Sequence, residues 1–219
     1  LATHFIESGY DTRALIKTIC SSKTYQLQSS PNEHNVTDTQ NFSRYYPKRL
    51  PAEVLLDAIN EVSDSSETFT GQAPGVRAVQ LPDDKFNSQS FFLSVFGRPE
   101  NSSACECERV SDANLAQSLH LINSDTIQKK LTADTGTSAR LALAKDVPDE
   151  KRISDLYVEA LSRNPNESEI QVAVSHLQKK REQAKANPDE KITPEAVERL
   201  AFEDILWALL NTKEFLFNH

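Results

Sequence analysis

Two cysteines one residue apart, Cys105 and Cys107, have the spacing in this chain that points most directly to chemistry. With only Glu106 between them, both thiols can lie on one side of a loop and share a soft metal such as zinc or copper(I). Cys20 and His120 would complete a set of four ligands. Paired zinc ligands are usually spaced more widely than Cys-x-Cys, so the signature is weak. A second chemistry is a disulfide from Cys20 to Cys105 or Cys107. It would close a loop of about 85 residues and contribute roughly 4 kcal/mol if unstrained. A third reading leaves the cysteines structural, and the residues leave all three open. Three is an odd count, so at least one thiol has no partner within the chain. Glu106 and Glu108 would raise the neighbouring thiol pKa values, which argues against a nucleophilic cysteine.

The second candidate is basic. Residues 44–49 read Arg-Tyr-Tyr-Pro-Lys-Arg, a compact basic and aromatic cluster. Arg44, Lys48 and Arg49, with Arg98 and Arg109 further on, form a candidate interaction set for an anion or a partner surface. The competing expectation has the cluster closing onto the acidic helix that follows, and Arg98 and Arg109 tying loops to helix ends. Other active-site patterns find little support. Acids number 32, so chance carboxylate pairs carry no weight for glycoside hydrolysis. There is no Gly-x-Ser-x-Gly and no glycine-rich phosphate loop. His4, His34, His176 and His219 have no partner motif. Trp207 and the C-terminal aromatics suit either a core or a ligand pocket, with helical spacing favouring the core.

The elements that would position these groups are helices. Asp11 or Thr12 caps a run carrying Leu15, Ile16, Ile19 and Cys20 on one face, and Gly9 ends a short helix before it. Pro51 opens a helix with a Val54, Leu55, Ala58, Ile59 and Val62 stripe. Residues 77–81 read as a short strand. Phe91 to Phe96 is expected to be a buried helix of two to three turns, stopped by Gly97 and Pro99. Asp112 caps a helix bearing His120, and Ser124 or Asp125 caps the next. Asp149 caps a helix with Ile153, Leu156 and Tyr157 inward. Asn166 and Glu169 form a capping box over a helix that buries Ile170, Val174 and Leu177. Thr193 and Pro194 open the last long helix, and Phe215 to Phe217 plug the end. Residues 28–48 and 64–87 are long loops. The expected fold is all-α: a single helical domain over residues 1–219, with about seven or eight helices and long ordered loops.

Composition sets outer bounds. The chain has 219 residues, 24 Lys plus Arg and 32 Asp plus Glu, a net charge of −8. That balance disfavours nucleic acid and anionic membrane surfaces as general partners. Hydrophobic residues at 38% with 26% charged are globular proportions, and no apolar run is long enough for a membrane span. The chain lacks Met, including at position 1, so Leu1 is expected to be a cut end of a longer protein.

Seven segments, taken in order, resemble a known family. They are Ile19 to Ser29, Asn41 to Asp57, Arg77 to Pro82, Phe96 to Arg109, Leu115 to Asn123, Leu156 to Pro165 and Asp204 to His219. The set resembles the C-terminal domain of unknown function, family 1553, of planctomycete-type bacteria. The resemblance implies a large exported protein of the periplasm or cell surface. It implies an upstream cytochrome-c-like segment carrying haem c and, in some members, a lectin-like domain. The upstream domains of the same protein, and polysaccharide or other cell-surface components, are then the implied partners. This chain has no Cys-x-x-Cys-His, so no cofactor is expected within it. The expected role is a non-enzymatic scaffold or interaction domain, and the alternative is a metal-binding or redox module built on the Cys-x-Cys loop.

Overall fold

The computed structural model describes residues 1–82, 86, 89–99, 124–186 and 192–218. These residues are mainly helical, as the periodicity implies. Ten α-helices lie among them: α1 Ala2–Glu7, α2 Thr12–Cys20, α3 Ala52–Val62, α4 Phe91–Val95, α5 Asp125–Leu131, α6 Thr137–Leu143, α7 Asp149–Leu161, α8 Glu167–Ala186, α9 Pro194–Leu210 and α10 Lys213–Leu216. Two strands of two residues each, β1 Lys48–Arg49 and β2 Phe217–Asn218, pair as a small sheet. The helix count exceeds the expected seven or eight because short pieces such as α10 form separate turns. There the Thr212 hydroxyl accepts the Phe215 N–H at 3.2 Å and starts a new turn.

The chain divides into two compact units, Leu1–Lys48 with Phe217–His219, and Arg49–Leu216. In the first unit, Asp11 caps α2 by accepting the N–H groups of Arg13 and Ala14 at 2.9 and 3.1 Å. Gly9 follows α1 at φ +68°, a conformation that favours glycine. The polar loop after α2 is held by its own side chains. Asp38 accepts backbone N–H groups of Gln40, Asn41 and Ser43, and with the Ser43 hydroxyl these hold its carboxyl well below the usual range. None of residues 1–48 is buried.

The second unit carries the core. Leu55, Leu56, Ile59, Phe92, Leu93 and Phe202 are among its fully buried side chains. Helix α3 is rotated from the expected stripe: Val54 is exposed, while Leu56 and Asp57 are buried. Asp57 is tolerated there because it has donors. It accepts the Ala78 N–H at 2.8 Å and the Val79 N–H at 3.1 Å, and Arg77 Nε lies 3.5 Å away. That contact explains a correction. Residues Ala78–Gln80 form a turn of 3₁₀ helix, not a strand, because Asp57 gathers consecutive amides and Gln80 Oε1 accepts the Arg77 N–H at 2.9 Å. An extended strand would point those amides to opposite sides.

Helix α4 is five residues, shorter than the expected two to three turns. Gly97 ends it at φ +76°, and the Arg98 N–H returns to the Leu93 carbonyl at 2.9 Å. Phe92 and Phe96 stack with centroids 4.2 Å apart. Ser124 caps α5 and Thr193 caps α9, with Pro194 in the first turn. Asn166 and Glu169 make the expected box, Glu169 N–H to Asn166 Oδ1 at 2.9 Å and Asn166 N–H to Glu169 Oε2 at 2.7 Å. Pro51 and Pro148 sit one position before their helices, so Asp149 is the first residue of α7 and not its cap.

Candidate functional site

The site is framed by arginines that tie the helices of the second unit together. Arg152 on α7 is 4% exposed and lies over the Phe202 ring at 5.0 Å. It donates to the Leu141 carbonyl at 2.9 Å, to Asp149, and to Glu198 on α9 at 3.3 Å. Arg181 on α8 meets the same two acids, Asp149 at 2.6 Å and Glu198 at 3.0 Å. The Arg181 guanidinium holds the Asp149 carboxyl below its usual value against the opposing effect of burial. Arg163 forks onto Glu169 and Glu214, with contacts of 2.6–2.9 Å. It holds the Glu169 carboxyl down at about 2. Arg199 on α9 reaches Glu203 and Asp134, both at 2.8 Å, while burial pushes the Glu203 carboxyl up.

Between α8 and α9 this frame leaves a groove of about 480 Å³. The pairs Arg181–Glu198 and His176–Asp204 run in opposite order along the two helices, so the helices are antiparallel. Val172 and Ala173 from α8, and Ile205, Trp207, Ala208 and Leu209 from α9, supply apolar lining. Val172 is 69% exposed, although valine is usually among the residues taken inside. Ser168, Glu169, His176, Asp204 and Tyr157 supply polar groups.

Each carboxylate in the lining has a cationic partner. His176 Nε2 lies 2.9 Å from Asp204 Oδ2, and Lys180 Nζ lies 2.7 Å from the same oxygen. Glu169 is engaged by Arg163 and by the Asn166 amide. Tyr157 comes up from α7. Burial, then the Glu169 charge, push its phenol above the usual value while Arg163 opposes them, so it stays a hydrogen-bond donor. A cleft of this size, mainly apolar with a few convergent polar groups, suits binding of a small group more than any particular reaction.

The residues singled out by sequence fall elsewhere. Cys105, Cys107, Arg109 and His120 lie outside the described residues. Cys20 ends α2 and is half-buried. Among the described residues no cluster of three or more His, Cys, Asp or Glu is placed to hold a metal. The basic cluster divides between the two units. Arg44 donates to the Ser29 carbonyl at 3.3 Å and lies over the Tyr46 ring. Lys48 is exposed, and its backbone N–H donates to Asn218 Oδ1 at 3.2 Å. Arg49 donates to the Phe96 carbonyl at 3.1 Å and Arg98 to the Leu81 carbonyl at 2.9 Å, so each holds a loop backbone. His176, which has no sequence partner, gains one from α9. The only local signal for the groove was Trp207 itself.

A family model described as "PSD1: Protein of unknown function (DUF1553)" matches residues 1–177. The match includes the α7 and early α8 side of the groove, and α9 lies beyond it. No curated protein and no solved structure matches the chain.

Proposed function

The chain belongs to the PSD1 family of proteins of unknown function (DUF1553), and from that premise we propose that it is a non-enzymatic interaction domain of an exported bacterial protein. The reading places it downstream of a cytochrome-c-like segment, in the periplasm or at the cell surface, in a protein linked to polysaccharide binding or breakdown. Resemblance to exported, cytochrome-linked planctomycete-type proteins supports that setting.

One observation supports an interaction role most strongly: the α8–α9 groove presents apolar side chains, with Val172 69% exposed, on a frame whose charges are engaged in holding helices together. Arg152 and Arg181 bind Asp149 and Glu198, and Arg163 binds Glu169 and Glu214. These ions fix the groove's walls. An open apolar surface on a fixed frame supports a contact role.

The alternative is a metal or redox module using Cys105 and Cys107, with Cys20 and His120. Elemental analysis and intact mass, with and without reductant, separate the two on the same protein. The interaction reading expects no stoichiometric metal. One metal per chain with all three thiols protected would replace it with the redox reading.

A further inference from the structure

We infer that Phe42 of one copy of this chain is an anchor that enters the α8–α9 groove of a second copy. The inference rests on the groove being a contact surface, and it names what that surface meets.

The first support is what Phe42 costs within its own chain. Its backbone lies at φ +53°, the left-handed region, where a bulky side chain is an outlier and glycine or asparagine is at home. The conformation is clamped from both sides. Asp38 accepts the Asn41 N–H at 2.8 Å and the Ser43 N–H at 3.1 Å, and it also takes the Ser43 hydroxyl. The Tyr45 N–H ties the loop to the Gln28 carbonyl at 3.0 Å. The ring held out in this way is 64% exposed and rests against Tyr46, with centroids 5.5 Å apart. A strained backbone that presents an apolar ring to water lowers stability on both counts. Cover from a partner offsets that, and a ring already fixed in place loses little freedom on binding.

The second support is what the groove asks of an occupant. Val172, Ile205 and Trp207 suit a side chain without hydrogen-bonding groups, and about 480 Å³ accommodates a phenyl ring. The polar part of the lining includes the carboxylates of Glu169 and Asp204. Arg163 is divided between Glu169 and Glu214, so that end of the groove carries an excess of negative charge. The matching occupant is apolar at its tip and positive around it. The Phe42 loop has that form: Arg44 lies two residues on, and Lys48 is exposed.

The third support is charge along the chain. Residues 1–48 carry five Lys plus Arg and four Asp plus Glu, whereas residues 49–219 carry 19 and 28. The part bearing Phe42 is slightly positive and the part bearing the groove is strongly negative, which draws unlike surfaces of two copies together. Ring and groove are different surfaces, so each copy in a pair keeps one of them free and the contact repeats head to tail.

Sedimentation velocity on the 219-residue chain reads the contact. The expected result is reversible association that grows over roughly 10 μM to 1 mM protein and weakens as salt is raised. Phe42→Asn and Phe42→Gly should each abolish it without lowering the melting temperature, because both residues accept the left-handed conformation. Val172→Glu should abolish it from the groove side. An equimolar mixture of Phe42→Asn and Val172→Glu should recover a dimer and nothing larger, since one intact ring then meets one intact groove. Wild type that stays monomeric at about 1 mM, association that survives either variant, or a mixture that stays monomeric overturns the inference. A lower melting temperature in both Phe42 variants would show that the fold itself uses the ring, and overturns it as well. Monomeric behaviour removes this partner alone, because the interaction reading is decided separately by metal content and thiol protection.

Discussion

His176 on α8 and Asp204 on α9 meet at 2.9 Å, 28 positions apart in sequence, and both line the groove. Neither residue announces the other. The pair exists because two long helices are antiparallel and because Arg181 fixes their register through Glu198 and Asp149. The groove is therefore a consequence of the frame, and the frame yields the first prediction.

Removing Arg152 should loosen α6, α7 and α9 together. Its guanidinium serves the Leu141 carbonyl, Asp149 and Glu198 from a buried position. Arg152→Met keeps much of the volume but leaves that carbonyl unpaired and halves the cations facing two acids. Arg181 remains, so the loss should fall below that of an isolated buried pair, at about 2–3 kcal/mol. Urea unfolding followed by far-UV circular dichroism measures it. A change under about 0.5 kcal/mol would show that Arg152 holds no helix in place.

Asp57 is the second test. Its two backbone acceptor contacts define the turn at Ala78–Gln80. Asp57→Ala leaves two N–H groups without their acceptor and should cost about 2–3 kcal/mol. Asp57→Asn keeps one acceptor oxygen and should cost less. Equal melting temperatures for the two variants would contradict the capping role.

The helix starts were legible and the turn was not. Asp11, Ser124, Asn166 and Thr193 act through bonds to amides two or three residues on, so the short-range pattern carries them. Asp57 caps a segment 21 residues away, which no local pattern records. The same reason hid the groove. Tyr157, His176 and Asp204 come from three helices, and each reads as an ordinary helical residue. Trp207 was visible as an aromatic at core spacing, and it is half-buried, part core and part groove wall.

The capping box gives a smaller, cleaner measurement. Asn166→Ala removes the acceptor for the Glu169 N–H and should cost about 1 kcal/mol. Chemical denaturation of Asn166→Ala, with Asn166→Ser as a partial rescue, checks it. A cost in the alanine variant that serine does not reduce would assign the effect to something other than the cap.

Acid should destabilise the domain in a defined window. Glu169 is held at about 2, below its ordinary 4.5, by Arg163, and Asp149 is lowered from 3.8 by Arg181. A carboxylate whose folded value is depressed adds stability above its unfolded value and loses it as pH falls toward the folded one. Glu203, pushed up by burial, works in the opposite direction and offsets part of the loss. The urea midpoint should change little as these carboxylates stay ionised, then fall between pH of about 4.5 and 2. Glu169→Gln should flatten that fall. An unchanged slope in the variant would remove Glu169 from the acid response.

The most direct test of the interaction role uses the whole protein with charges placed in the groove. Val172→Glu and Ala208→Glu both sit at exposed positions in the groove lining, so the fold should survive them. Fractionation of the intact protein from its source cells, wild type beside the double variant, reads the outcome. The account predicts that the wild type co-fractionates with a larger partner assembly and that the folded variant does not. Identical fractionation of the two proteins would contradict it.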